Sequence, residues 1–147
     1  MILQEIYKDD PWKMICGCIL LNITTRKQVD AVRDRLFERY PDSLAMSQAD
    51  LEELGELLRG LGLWRRRAET LKKFSTEWGE LMLEMGERLP MPEVVHCCTG
   101  VGKYAVDSYK IFVLGWDMKP SDVEDKELKK YLESRAYLGM LERVTLD

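Results

Sequence analysis

Histidine is nearly missing from this chain: His96 stands alone among 147 residues. The four cysteines fall as Cys16-x-Cys18 and the adjacent pair Cys97-Cys98. Neither spacing makes a zinc half-site, and one imidazole adds little, so no metal is expected. No Cys-rich iron–sulfur spacing stands toward the C-terminus, which leaves buried, reduced thiols. Long hydrophobic runs are also lacking. None reaches the roughly 18 residues of a membrane span, and no signal-peptide pattern opens the chain. An intracellular protein with no membrane partner is expected. Asn22-Ile23-Thr24 matches a glycosylation sequon, which means nothing without secretion.

An excess of positive charge is absent too, with 22 Lys and Arg against 26 Asp and Glu. The net charge of −4 counts against a simple polyanion binder. Yet the basic residues are unevenly spread. Arg59, Arg65, Arg66, Arg67, Lys72 and Lys73 cluster mid-chain, and Lys103 and Lys110 flank a glycine pair. Each group alone reads as a solvated helix face; together they allow a local basic surface.

Period-two alternation is the last absence: no stretch alternates convincingly, which argues against a sheet. What remains is helical spacing under one core, so we expect a monomeric all-α protein with a single domain over residues 1–147. Asp10-Pro11 starts a helix carrying Trp12, Ile15, Cys16, Ile19 and Leu20 and stopping near Asn22. Thr24 or Thr25 caps the next, with Val29, Val32, Leu36 and Phe37 on one face and Pro41 after it. Ser47-x-x-Asp50 reads as a capping box before Leu51, Leu54, Leu57 and Leu58, with Gly60 as the C-terminal cap. Leu61-Gly62-Leu63 interrupts the pattern. A long helix then runs from Trp64 through Ala68, Leu71, Phe74 or Ser75 and Trp78 toward Met85. Pro92 to Cys97 makes a short helix.

The chemistry centres on Thr99-Gly100-Val101-Gly102-Lys103-Tyr104, followed by Ala105, Tyr109, Phe112 and Val113 at i, i+4, i+7 and i+8. Short helix, Gly-Val-Gly turn and second helix make a helix-hairpin-helix. Its glycines allow close approach of a phosphate, and amides at a helix start supply donors and a positive dipole end. A plain helix–helix turn uses the same residues. Beyond it, Gly115 and Pro120 bound a loop, and Asp125 either caps the last helix or falls in its first turn behind a Ser121-x-x-Glu124 box.

The order hairpin, amphipathic helix, loop and aspartate resembles the helix-hairpin-helix (HhH-GPD) DNA glycosylase superfamily. The likeness is greatest to glycosylase domains of the methyl-CpG-binding-domain type. It is carried by Leu3-Gln4-Glu5, Asp10-Pro11-Trp12-Lys13, Leu21-Asn22, Leu61-Gly62-Leu63, Arg67-Ala68, Gly102-Lys103-Tyr104, Asp107-Ser108-Tyr109 and Glu124-Asp125. The resemblance implies a helical bundle with its site in a cleft between helical subdomains. It also implies a nuclear base excision repair enzyme whose partner is duplex DNA holding a mismatched or damaged base.

By the same resemblance, Asp125 is the catalytic carboxylate, ionised at a helix N-terminus. Tyr104 stands where bifunctional members similar to endonuclease III carry a nucleophilic lysine, and Lys103 is one residue off. A phenol forms no Schiff base, so a monofunctional enzyme is expected. Gln4 and Leu3 fall in the pocket for the extruded base. Gly100, Val101, Gly102 and Lys103 hold DNA. Leu61, Gly62, Leu63, Asn22 and Ile23 form the wedge, which otherwise reads as an inter-helix turn. No cofactor is implied beyond an alkali ion at the hairpin carbonyls. Three positions depart from the pattern: Ile23 replaces an arginine, Cys98-Thr99 precedes the turn, and Glu127 replaces a basic residue. Two other readings stay open, a non-catalytic DNA-binding module and a lyase using Lys103.

Overall fold

The computed structural model describes residues 1–146 and contains no strand among them. Nine α-helices follow in order: α1 Leu3–Ile6, α2 Pro11–Leu21, α3 Arg26–Arg39, α4 Ser43–Ser47, α5 Leu51–Leu57, α6 Trp64–Met85, α7 Pro92–His96, α8 Lys103–Ser108 and α9 Lys126–Leu146. A π-helical segment, Tyr109–Val113, continues α8, and a 3₁₀ turn, Pro120–Asp122, precedes α9.

Short polar side chains set most of the helix starts. Asp10 accepts the Lys13 amide ahead of Pro11, and Thr25, not Thr24, caps α3 with Gln28 completing its capping box. Ser47 does not begin a capping box. It ends α4, whose start is held by Asp42, while Asp50 itself caps α5 through the Glu53 amide at 3.0 Å. Gly60 is not the cap of α5 either: the chain turns at Leu58, whose amide already reaches the last helical carbonyls. Gly86, with φ of 66°, stops α6.

The main core gathers α2, α3, α5, α6 and α8 around Ile15, Leu20, Leu36, Leu54, Leu71, Phe74 and Tyr109. Two buried polar pairs lie inside it, whereas the buried Tyr40 hydroxyl has no hydrogen-bond partner among the described residues. Trp12 Nε1 donates to Ser75 Oγ at 2.9 Å, and Tyr109 Oη donates to the Pro90 carbonyl at 2.6 Å. A second, smaller cluster of Val123, Leu128 and Leu132 holds the start of α9. Tyr104 packs against both clusters.

Ala105 and Tyr109 are buried as the spacing requires, but Phe112 and Val113 are only half-buried. The cause is the π segment, where the Leu114 amide bonds the Tyr109 carbonyl at 3.0 Å. One extra residue in the turn rotates Phe112 out of the stripe and toward the second cluster, where its ring meets Tyr131 at 4.8 Å.

Candidate active site

Where the two clusters meet lies a cavity of about 610 Å³. Its walls include Leu3, Gln4, Cys18, Asn22, Ile23, Gly100, Gly102, Lys103, Tyr104 and Asp125. Residues as far apart as Leu3 and Asp125, 122 positions in sequence, therefore share one space, through four folding decisions.

The first is the seating of α1. A β-carbon on Gly17 would lie 2.5 Å from Leu3 Cδ2, so the glycine lets α1 rest directly on α2. That contact buries Leu3 and Gln4. Gln4 Nε2 donates to Tyr104 Oη at 2.7 Å and to Ser108 Oγ at 3.0 Å. Ser108 Oγ in turn donates to the Tyr104 carbonyl at 2.8 Å. The serine proton is thus committed, which fixes Gln4 Nε2 as donor and Tyr104 Oη as acceptor in this chain. Gln4 Oε1 and the Tyr104 hydroxyl proton are left over, one acceptor and one donor.

The second is the N-terminus of α9. Asp125 Oδ2 accepts the amides of Glu127 at 2.9 Å and Leu128 at 3.0 Å. Asp125 is therefore the helix cap, and the Ser121-x-x-Glu124 alternative gives way to the 3₁₀ turn Pro120–Asp122. Both capping bonds fall on Oδ2, so Oδ1 accepts none from the described residues.

The third is the hairpin. Gly100 has φ of 79°, and a β-carbon there would sit 2.5 Å from Thr70 Cγ2. Glu77 on α6 braces the turn from below: its carboxylate accepts the Thr99 amide at 2.9 Å and the Thr99 hydroxyl. Among the described residues the amides of Gly102, Lys103, Tyr104 and Ala105 have no acceptor. At Val101 the amide bonds the Cys98 carbonyl at 3.2 Å and the side chain is buried, which anchors the turn.

The fourth is the pair of loops after α2 and α5. Ile23 is 84% exposed and Leu63 60% exposed. Leu61 does not belong with them. At 2% exposure it is a core side chain, because the turn at Leu58 directs it inward.

Charge and proton chemistry divide cleanly. Burial, reinforced by Cys18, holds the Tyr104 phenol well above its ordinary value, so it remains a donor. Burial also pushes the Cys18 thiol up to about 12, which makes it a neutral wall and no nucleophile. Lys103 Nζ is bound to Asp107 Oδ2 at 2.6 Å and to the Asp122 carbonyl at 3.2 Å, and the Asp107 contact raises its affinity for a proton. All four cysteines are free thiols, but only Cys16 and Cys18 are buried as expected; Cys97 is exposed and Cys98 half-buried, because both follow the short α7 at the surface.

Sequence reasoning assigned no role to Cys18, Ser108, Arg26 or Glu77, of which the first and third line the cavity. Ser108 stood within a motif but carried no signal of its own, and Glu77 was one of many helix-face acids.

Comparison with known proteins gives this geometry its context. Residues 16–134 match the family model described as HhH-GPD superfamily base excision DNA repair protein. The chain belongs to that superfamily. It is 35% identical over 123 residues to a methyl-CpG-binding domain protein 4-like protein of Arabidopsis thaliana, covering 82% of this chain and 26% of that one. It is 30% identical over 125 residues to a thymine/uracil-DNA glycosylase of Pyrobaculum aerophilum, covering 84% of this chain and 52% of that one. The solved structure of a thermostable thymine-DNA glycosylase superposes with a TM-score of 0.64 at 25% identity, over 75% of this chain and 50% of that chain. This superfamily member thus spans about half, or less, of the length of these three relatives, and it shares the helical fold of the solved glycosylase.

Proposed function

We propose that this chain is a monofunctional DNA glycosylase that extrudes thymine or uracil mispaired with guanine and hydrolyses its N-glycosidic bond. The observation that carries the reading is the convergence of Gln4, Tyr104 and Asp125 on one cavity. Thymine and uracil present an imide edge, a donor between two carbonyl acceptors. Gln4 Oε1 suits the imide N–H and the Tyr104 hydroxyl suits a carbonyl oxygen, because the intrachain network leaves those two functions spare. Names of the Pyrobaculum aerophilum relative and the thermostable structural neighbour agree with that base class.

Departure of the base leaves an electron-poor, oxocarbenium-like sugar. Asp125 meets it with the oxygen that the α9 amides do not occupy, stabilising the cation and orienting the attacking water. The unpaired amides at the start of α8, with the exposed Arg66 lining one groove with Gly100, support a backbone-phosphate grip without sequence readout. The carbonyls of Thr99, Gly100 and Val101 accept no hydrogen bond from the described residues, a donor set that fits a hard alkali cation, which would supply positive charge beside that phosphate. Ile23 and Leu63 would occupy the stack where the base left.

The lyase alternative is disfavoured because the Lys103 amine is protonated and held by Asp107. A single-turnover assay on G·T and G·U duplexes followed by hot alkali tests the reading. Strand breaks are expected with wild type, and borohydride should trap no covalent adduct. Tight duplex binding with no base released from any lesion would leave a DNA-binding module instead.

A further inference from the structure

Arg67 is a charged residue where a charge is costly. It lies on α6, is 8% exposed, and pairs with no carboxylate among the described residues. All three of its guanidinium nitrogens donate to backbone carbonyls. Nε donates to Gly62 O at 2.6 Å, Nη2 to Asn22 O at 2.5 Å, and Nη1 to Ile19 O and Leu20 O, each at 3.3 Å. Three of those acceptors end α2, where carbonyls lack helical partners and the dipole is negative. The fourth sits in the loop between α5 and α6. One side chain therefore ties two loops separated by 40 positions of sequence.

The residues immediately after the two loop acceptors are Ile23 and Leu63. Both are in left-handed backbone conformations, with φ of 64° and 55°. A β-branched or bulky residue there is strained, and the strain persists only if the surroundings hold it. Both side chains are nonetheless exposed, and both line one groove of about 270 Å³ together with Arg66, Thr70 and Gly100.

We infer that Arg67 is a positioning residue, a clasp that fixes the Asn22 and Gly62 loops so that Ile23 and Leu63 enter the base stack of duplex DNA as one wedge. This rests on the glycosylase reading for its substrate but not on base release. A lysine cannot replace the clasp, since one ammonium lacks the planar fork that reaches both loops at once.

The test is fluorescence of 2-aminopurine placed beside a G·T mismatch in a duplex at saturating protein. Wild type should raise the signal by unstacking the neighbour, and Arg67→Lys should give less than half of that rise. A wild-type rise retained in Arg67→Lys, or no rise with wild type, overturns the clasp. If circular dichroism shows that Arg67→Lys does not fold, Ile23→Gly, Leu63→Gly and the double variant decide the matter. One joined wedge requires each single variant to lose as much signal as the double, whereas additive losses overturn it. Base excision is scored separately. Unstacking without excision removes the enzyme reading and keeps the clasp; excision with an undiminished Arg67→Lys signal does the reverse.

Discussion

Gln4 and Tyr104, 100 residues apart in sequence, meet in a 2.7 Å hydrogen bond at the wall of the cavity. Ser108 forces the direction of that bond, because its own proton is committed to the Tyr104 carbonyl. Tyr104→Phe should therefore remove one donor to the substrate and leave Gln4 still bound to Ser108. Excision of uracil opposite guanine is expected to fall about 10- to 100-fold, on the scale of one or two lost hydrogen bonds at about 1.4 kcal/mol per decade. Gln4→Ala strips both the acceptor and the brace on Tyr104, so its loss should be larger. Single-turnover rates on the same duplex compare the two.

Asp125 is at once the cap of α9 and the carboxylate of the cavity. Asparagine caps a helix about as well as aspartate, so Asp125→Asn should melt within about 1 kcal/mol of wild type. Its excision rate should drop by about two to four orders of magnitude, the usual contribution of a positioned acid or base. Asp125→Ala should lose the same activity and also about 1 kcal/mol of stability, as the two amides lose their acceptor. Thermal melts beside rate measurements separate cap from chemistry. An active Asp125→Asn enzyme would refute the mechanism.

Most of the helix pattern was legible because it depends on local chemistry: Asp10-Pro11, Thr25 and Pro41 act on their own neighbours. The candidate site was legible mainly as a set of residue identities carried by a family likeness, several of which the fold brings to one cavity. Its wiring was not. Nothing local tells that Ser108 orients Gln4, that Glu77 braces the hairpin, or that Leu61 turns inward while Leu63 turns out. Each of those depends on a partner on another helix, brought close only when α1, α6 and α8 pack. The π segment after Ser108 was invisible for the same reason, since Phe112 trades one buried stripe for contact with Tyr131.

Alkaline pH should loosen the protein in a defined window. Cys18 titrates near 9 when unfolded and near 12 when folded, and burial raises Cys16 and Tyr104 as well. The folded state keeps protons that the unfolded chain releases, so the stability is intact below about pH 9 and falls as pH rises toward 12. One fully buried group accounts for about 1.4 kcal/mol per pH unit within its window. Cys18→Ala should flatten the fall between pH 9 and 12 by about that slope, whatever it costs at neutral pH. Urea melts at pH 7, 9, 10 and 11 measure it. An equal slope in both proteins would contradict the assignment.

The two hairpin glycines should behave oppositely. At Gly100 a methyl meets Thr70 Cγ2 at 2.5 Å and the backbone has φ of 79°, so Gly100→Ala should destabilise by about 1–3 kcal/mol. At Gly102 a β-carbon meets nothing within 4 Å and φ is an ordinary −102°. Gly102→Ala should therefore fold with wild-type stability and bind duplex DNA more weakly, because the methyl occupies the approach to the α8 amides. Melting temperatures and fluorescence-anisotropy titrations give both quantities.

Leu61 and Leu63 flank one glycine and should report two different things. Leu61, fully buried, packs in the main core, and Leu61→Ala should cost about 2–5 kcal/mol of stability. Leu63 is 60% exposed, so Leu63→Ala should cost little stability. Its effect should appear on duplex substrates, where an apolar tip compensates lost stacking, and not on single-stranded uracil DNA, where no stack is opened. Excision rates on both substrates, measured beside urea melts, give a duplex-to-single-strand ratio that falls for Leu63→Ala. The wild-type ratio should be retained by whatever Leu61→Ala protein remains folded. A Leu63→Ala enzyme with an unaltered ratio would assign this loop to packing alone.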